Sequence, residues 1–192
     1  MDDTPHHPTQ ESSLWERVLQ RLPGLELIHQ PAHVDHQLVA EIQDTSWETL
    51  FQGSVVDQTM ASVLQGGMLL IAGEWDQAHR IVQDFDTPEA RYWHGILHRQ
   101  EPDKSNAHYW FRRVPIHPVY ESLSSLSTED QFTNNSIYVE FVKGGHWDPG
   151  RFVDKCVNSQ ADQSVKQQRE LEIIQQYELK LLLTHCRKLT VE

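Results

Sequence analysis

Residues 92 to 103 read YWHGILHRQEPD, a stretch in which two histidines precede two carboxylates. His94 and His98 stand one helical turn apart, about 40° around the axis, and Glu101 shares their face if the helix reaches it. Two imidazoles at this spacing can hold one metal ion, and a carboxylate completes a three-ligand set that leaves a coordination position open. The residue after His94 is Gly95, so the glutamate that acts as base in an HExxH zinc helix is missing. The metal reading therefore places a divalent ion on His94, His98 and Glu101. Asp103, His108 and His117 are its supporting candidates, and His146 is a further source of a third ligand.

The same residues have a structural reading. Twelve histidines in 192 residues make such pairs common by chance. Core histidines need hydrogen-bond partners, because an unsatisfied buried polar group costs about 1 to 3 kcal/mol. Glu101, Asp103 and Tyr109 are the candidates here.

Other chemistry is less well supplied. Arg91, Arg99, Arg112 and Arg113 could hold an anion, but they also offset an acidic surface. Trp75, Trp93 and Trp110 suit a core better than a stacking platform. The chain contains no GxSxG elbow, phosphate loop or dinucleotide glycine pattern. Cys156 and Cys186 stand alone, thirty residues apart, which argues against a CxxC zinc knuckle and a disulfide framework and leaves room for a single disulfide at most.

Helices must position these residues. Ser13 and Glu16 form a capping box for a helix carrying Leu14, Val18 and Leu22, which Pro23 and Gly24 end. A short helix is expected at about 34 to 43, and Thr45 with Glu48 offers a second capping box. From Val56 through Met60, Leu64, Met68 and Ile71 apolar residues recur at helical intervals until Gly73. Trp75, Ala78, Val82 and Phe85 mark the next helix. Thr87 and Pro88 start the helix that carries the histidines, and Pro102 stops it near Glu101. Asp103 caps a further helix, Asp148 and Pro149 start another, and a last one runs from about 164 to 188. The segment from 134 to 145 suits helix or strand, and its helical neighbours favour helix.

The chain also repeats. Gly66, Ala78, Val82 and Phe85 recur as Gly95, Ala107, Phe111 and Val114, at a shift of 29 without a gap. A small residue on each of two antiparallel helices lets their axes approach, and larger apolar residues fill the space beside them. With Leu69, Gly73, Trp75 and the run AHYWF, the pattern resembles the tetratricopeptide (TPR) and Sel1-like helical hairpin repeats. It departs from them in its short period and in Lys104, Pro102 and Asp103, which replace an expected aromatic and a turn glycine. The stretch from Tyr92 to Val114 is also similar to a segment of bacterial and fungal proteins, a likeness that implies no activity.

The expected architecture is all-α, with TPR-like antiparallel hairpins at about 60 to 115 and flanking helices. It forms one compact domain over 13–192 behind a disordered tail over 1–12. The composition, 38% hydrophobic and 23% charged, is that of a chain with a core. Sixteen basic against 28 acidic residues, a net charge of −12, repel nucleic-acid phosphates and anionic membranes. The N-terminus lacks a signal-peptide pattern and no run is apolar enough to span a membrane, so a soluble cytoplasmic protein is expected. The resemblance implies an interaction or regulatory module whose partner is a protein or peptide, and the long C-terminal helix, apart from that resemblance, offers a surface for a homodimer. The alternative is a metal-dependent enzyme or metal-binding protein on His94, His98 and Glu101, and a divalent metal is the one cofactor either reading calls for.

Overall fold

The computed structural model describes residues 12–126, 132, 135–159 and 164–192. The expectation for the N-terminal tail, apart from its last residue, Ser12, lies outside them. The fold is all-α. Helices α1 (Leu14–Arg21), α2 (His36–Asp44) and α3 (Trp47–Phe51) precede two hairpins, α4 (Gln58–Ile71) with α5 (Trp75–Val82), and α6 (Pro88–Gln100) with α7 (Lys104–Phe111). Then come α8 (Pro118–Ser124), α9 (Pro149–Asn158) and the long α10 (Val165–Thr190). No helix among the described residues is long and apolar enough to cross a membrane.

Local sequence explains most boundaries. The Ser13–Glu16 capping box forms in full, and Asp57, Thr87, Asp103 and Asp148 each accept a hydrogen bond from the first turn of their helix. The expected box at Thr45 and Glu48 does not form: Ser46 is the residue before α3, and its hydroxyl donates to Thr49 instead. Val56 lies outside α4, where its backbone N–H donates to the Thr190 carbonyl. The described part of the 134–145 segment is no continuous helix. A single 3₁₀ turn, Tyr138–Glu140, gives way to two antiparallel two-residue strands, Val142–Lys143 and His146–Trp147. Gly144 and Gly145, at φ of 62° and 81°, make the turn between them, a conformation that favours glycine and ends any helix there.

The 29-residue shift is visible in the helix ends: Ile71 and Gln100, Trp75 and Lys104, Val82 and Phe111 are corresponding termini. Within each hairpin the small residue does what the repeat implies. A Cβ on Gly66 would stand 3.0 Å from Val82, and one on Gly95 would stand 2.9 Å from Phe111, the corresponding residue. Between hairpins, Gly67 lets α4 approach the Trp93 ring of α6, which a Cβ would meet at 2.4 Å.

Helix α10 is the spine. It packs against α4 and α8 and buries Leu171, Ile174, Leu179, Leu182, Leu183 and Cys186 inside the chain. Ile173, Tyr177 and Leu181, on the same helix, are partly buried and pack against the same core. The buried face of α10 also carries Gln175 and Glu178, both fully enclosed. Arg99 of α6, equally enclosed, donates from Nη2 to Glu178 at 2.5 Å and to Gln175 at 3.3 Å. Tyr92 donates its hydroxyl to Glu178 at 3.2 Å. One hydrophobic cluster runs from Trp15 of α1 to Cys186 of α10.

Candidate metal centre

Helix α6 starts at Pro88 behind the Thr87 cap and ends at Gln100, with Glu101 as its C-cap. That length places His94 and His98 on the face turned to α5 and α7, both buried at 5% and 8% exposure. Glu101 is not the third member of their cluster. His79 of α5 is: its Nε2 stands 2.9 Å from Nε2 of His94, and one ligand nitrogen from each of the three lies within 4.8 Å of the others.

Aromatic rings hold this trio in place. Trp110 stacks on His94 at 4.0 Å between centroids, and Trp75 stacks on His79 at 4.9 Å. Trp75 is itself pinned by donating its indole N–H to the Leu97 carbonyl at 3.0 Å. The three tryptophans expected in the core thus divide: Trp93 is fully buried, whereas Trp75 and Trp110 are half-buried walls of the histidine site.

Glu101 has a different part. Its carboxylate lies 3.0 Å from Nδ1 of His98. A carboxylate on one imidazole nitrogen fixes the ring and its tautomer, leaving the other nitrogen basic, which is how outer-shell carboxylates support metal-binding histidines. Asp103 also lies in a group with His98 and Glu101. However, its two oxygens are engaged as the α7 cap, accepting from the Asn106 backbone N–H at 3.0 Å and side-chain amide at 2.7 Å. Tyr109 is exposed and stacks edge-on with Trp110, so it serves neither histidine as a hydrogen-bond partner.

Burial sets the electrostatics. It drives the His94 pKa down from 6.5 to about 3, reinforced by the neighbouring imidazoles of His79 and His98. His79 is lowered as well, first by burial and then by His98. Neutral imidazoles have free lone pairs, and protons do not compete for them near neutrality.

The remaining candidates lie elsewhere. His108 pairs with Asp154 of α9 at 2.8 Å. His117 joins Glu89 and His185 in a second cluster that links α6, α8 and α10. Nδ1 of His117 accepts the Val119 backbone N–H at 3.2 Å, which places the ring proton on Nε2, facing the Glu89 carboxylate at 3.7 Å. His185 Nε2 meets the same carboxylate oxygen at 3.1 Å. Burial raises the Glu89 pKa, but the neighbouring His117 imidazole, the His185 hydrogen bond and the backbone outweigh it and hold the carboxyl well below its usual range. His146 sits exposed in the strand pair.

His79 was invisible to motif spacing, but the repeat contains a signal for it. Shifted by 29 residues, His79 corresponds to His108. Each projects from the second helix of its hairpin onto another helix: His108 onto α9, and His79 onto α6, where the histidine pair is waiting. No family model, curated protein or solved structure matches the chain.

Proposed function

We propose that the protein binds a borderline divalent transition metal, zinc or one of its neighbours, through His79, His94 and His98, with Glu101 orienting His98. The observation that carries this reading is the convergence of three imidazoles, one ligand nitrogen from each within 4.8 Å of the others. Three nitrogen ligands favour zinc, copper, nickel or cobalt over magnesium or calcium, which prefer oxygen. Zinc–nitrogen bonds of about 2.0 to 2.1 Å in tetrahedral geometry separate ligand nitrogens by roughly 3.3 Å. The 2.9 Å between His79 and His94 must then open by a few tenths of an ångström. Such a move is within reach of two rings joined by one shared proton, which the metal displaces.

Three uncharged ligands leave the full double charge on the metal and a fourth position free, the arrangement that acidifies a bound water and suits hydrolytic or hydration chemistry. The reading as a protein-interaction module rests on likeness to helical hairpins alone, and the histidine convergence gives the metal reading the stronger footing. The test is metal analysis by mass spectrometry and equilibrium dialysis with zinc on the wild type and on His79→Ala, His94→Ala, His98→Ala and Glu101→Gln. One equivalent of zinc in the wild type, lost in all three histidine variants and weakened in Glu101→Gln, is expected. A His79→Ala protein that keeps its zinc while Glu101→Gln loses it would restore the His94, His98 and Glu101 set and overturn this assignment.

A further inference from the structure

Helix α5 brings a single ligand, His79, to the two that α6 carries, and it is the least anchored of the four hairpin helices at its start. Asp57, Thr87 and Asp103 cap the first turns of α4, α6 and α7, whereas the Glu74 side chain makes no such bond to α5. His79 is also only half-buried, and an imidazole without a fixed neighbour turns about both of its side-chain torsions. Something other than a cap fixes where α5 begins and which way His79 faces.

Trp75 does both. It is the first residue of α5, and His79 follows four residues later on the same helical face. The indole lies flat on the imidazole, with centroids 4.9 Å apart and planes 7° from parallel. Its N–H donates across to α6, to the Leu97 carbonyl at 3.0 Å. That carbonyl also accepts the Glu101 backbone N–H at 3.0 Å, the bond that closes α6. Leu97 is thus the point from which two ligands are aimed. One line runs through Trp75 to His79, and the other runs through Glu101, whose carboxylate meets Nδ1 of His98 at 3.0 Å. The indole reaches the second ligand directly as well, meeting the His98 ring edge-on at 6.4 Å between centroids.

We propose that Trp75 is a positioning residue that sets the metal specificity of the histidine site. It holds His79 as the third nitrogen ligand, and without it the site falls to two imidazoles and loses much of its preference for zinc over manganese. The assignment rests on the metal reading above and names the residue on which that site's selectivity depends. Each imidazole adds more to the binding of zinc than of manganese, because imidazole suits the later metals of the series and manganese favours oxygen. Loss of one nitrogen therefore weakens zinc more than manganese. A general loosening of the fold weakens both alike, so the ratio separates positioning from mere stability.

The experiment measures zinc affinity by equilibrium dialysis and manganese affinity by electron paramagnetic resonance on the full-length wild type, Trp75→Phe and Trp75→Leu. Phenylalanine keeps a ring beside His79 without a donor for Leu97, and leucine removes both. Trp47→Phe is the control, because it removes another indole N–H, one that donates to Gln65 at 3.3 Å. Zinc affinity should fall about tenfold in Trp75→Phe and further in Trp75→Leu, the size of effect that outer-shell partners of metal ligands have. Manganese affinity should fall much less, and Trp47→Phe should bind both metals as the wild type does. Circular dichroism checks that each variant is folded.

A second measurement needs no variant. Zinc should slow solvent exchange of the Trp75 indole proton in nuclear magnetic resonance spectra and leave that of Trp47 unchanged, because the metal fixes the ring on which Trp75 stacks. A wild type that binds no zinc would overturn the metal reading and this assignment with it. A wild type that binds zinc, with Trp75 variants that keep its zinc-to-manganese ratio or a Trp75 indole proton that exchanges equally fast with and without zinc, would overturn this assignment alone.

Discussion

Lowering the pH from 7 to 5 in the absence of metal should destabilise the protein through His94 before its carboxylates begin to titrate. Burial among Trp110, His79 and His98 holds the folded-state pKa at about 3, against 6.5 for the unfolded chain. Below pH 6.5 the unfolded imidazole takes up a proton that the folded one refuses. Stability therefore rises with pH through the window from about 3 to 6.5 and is lost as pH falls through it. At 1.36 kcal/mol per pKa unit, His94 alone accounts for about 2 kcal/mol between pH 7 and pH 5. His79 is shifted in the same direction and adds to the slope.

The assay is urea unfolding in EDTA at pH 7, 6 and 5, comparing the wild type with His94→Phe, which keeps a ring against Trp110 and removes the titration. Absolute stabilities will differ, because the variant also loses the contact with His79. The slopes carry the result: the wild type should lose about 2 kcal/mol more than the variant over this range. Parallel curves would show that His94 takes a proton as readily in the fold as out of it, and the argument for a preformed neutral imidazole site would fail. Saturating zinc supplies the reciprocal check at pH 7. A hundredfold excess over its dissociation constant should stabilise the wild type by about 2.7 kcal/mol and leave His94→Phe unmoved.

Three further outcomes follow from the packing. Glu178→Gln leaves the enclosed Arg99 guanidinium without its counter-charge and should cost about 3 to 5 kcal/mol in urea unfolding, whereas Arg99→Met combined with Glu178→Leu should recover much of that loss. Gly67→Ala sets a methyl against the Trp93 ring and should cost about 1 to 3 kcal/mol with a changed near-ultraviolet dichroism, while Gly24→Ala, which meets nothing within 4 Å, should be close to neutral. Glu89→Gln removes the carboxylate shared by His117 and His185 and should destabilise the protein near neutrality, with the difference from wild type shrinking in acid as the wild-type carboxyl itself takes a proton.

The sequence was legible where one segment decides its own fate. Capping side chains, proline positions and apolar periodicity are local, and they placed most helix boundaries within a few residues. The exceptions have local causes too: paired glycines at 144 and 145 demand positive φ and end any helix there, and Ser46 displaced Thr45 at the start of α3. The candidate site was only half legible because a metal centre depends on what lies across a packing contact. His94 and His98 share a helix, so spacing revealed them, whereas His79 reaches them from a helix whose own stripe, Ala78 and Val82, gives no reason to single it out. Glu101 was found by the same spacing, but adjacency along a helix does not tell a ligand from the carboxylate that orients one. The buried face of α10 shows the same limit: hydrophobic periodicity cannot mark Gln175 and Glu178 as interior, because it is Arg99, far away in the chain, that makes them so. The repeat was the one sequence feature that crossed this boundary. A shift of 29 residues maps His108 onto His79, and a hairpin that turns one of its histidines onto a neighbouring helix gives a reason to expect its predecessor to do likewise.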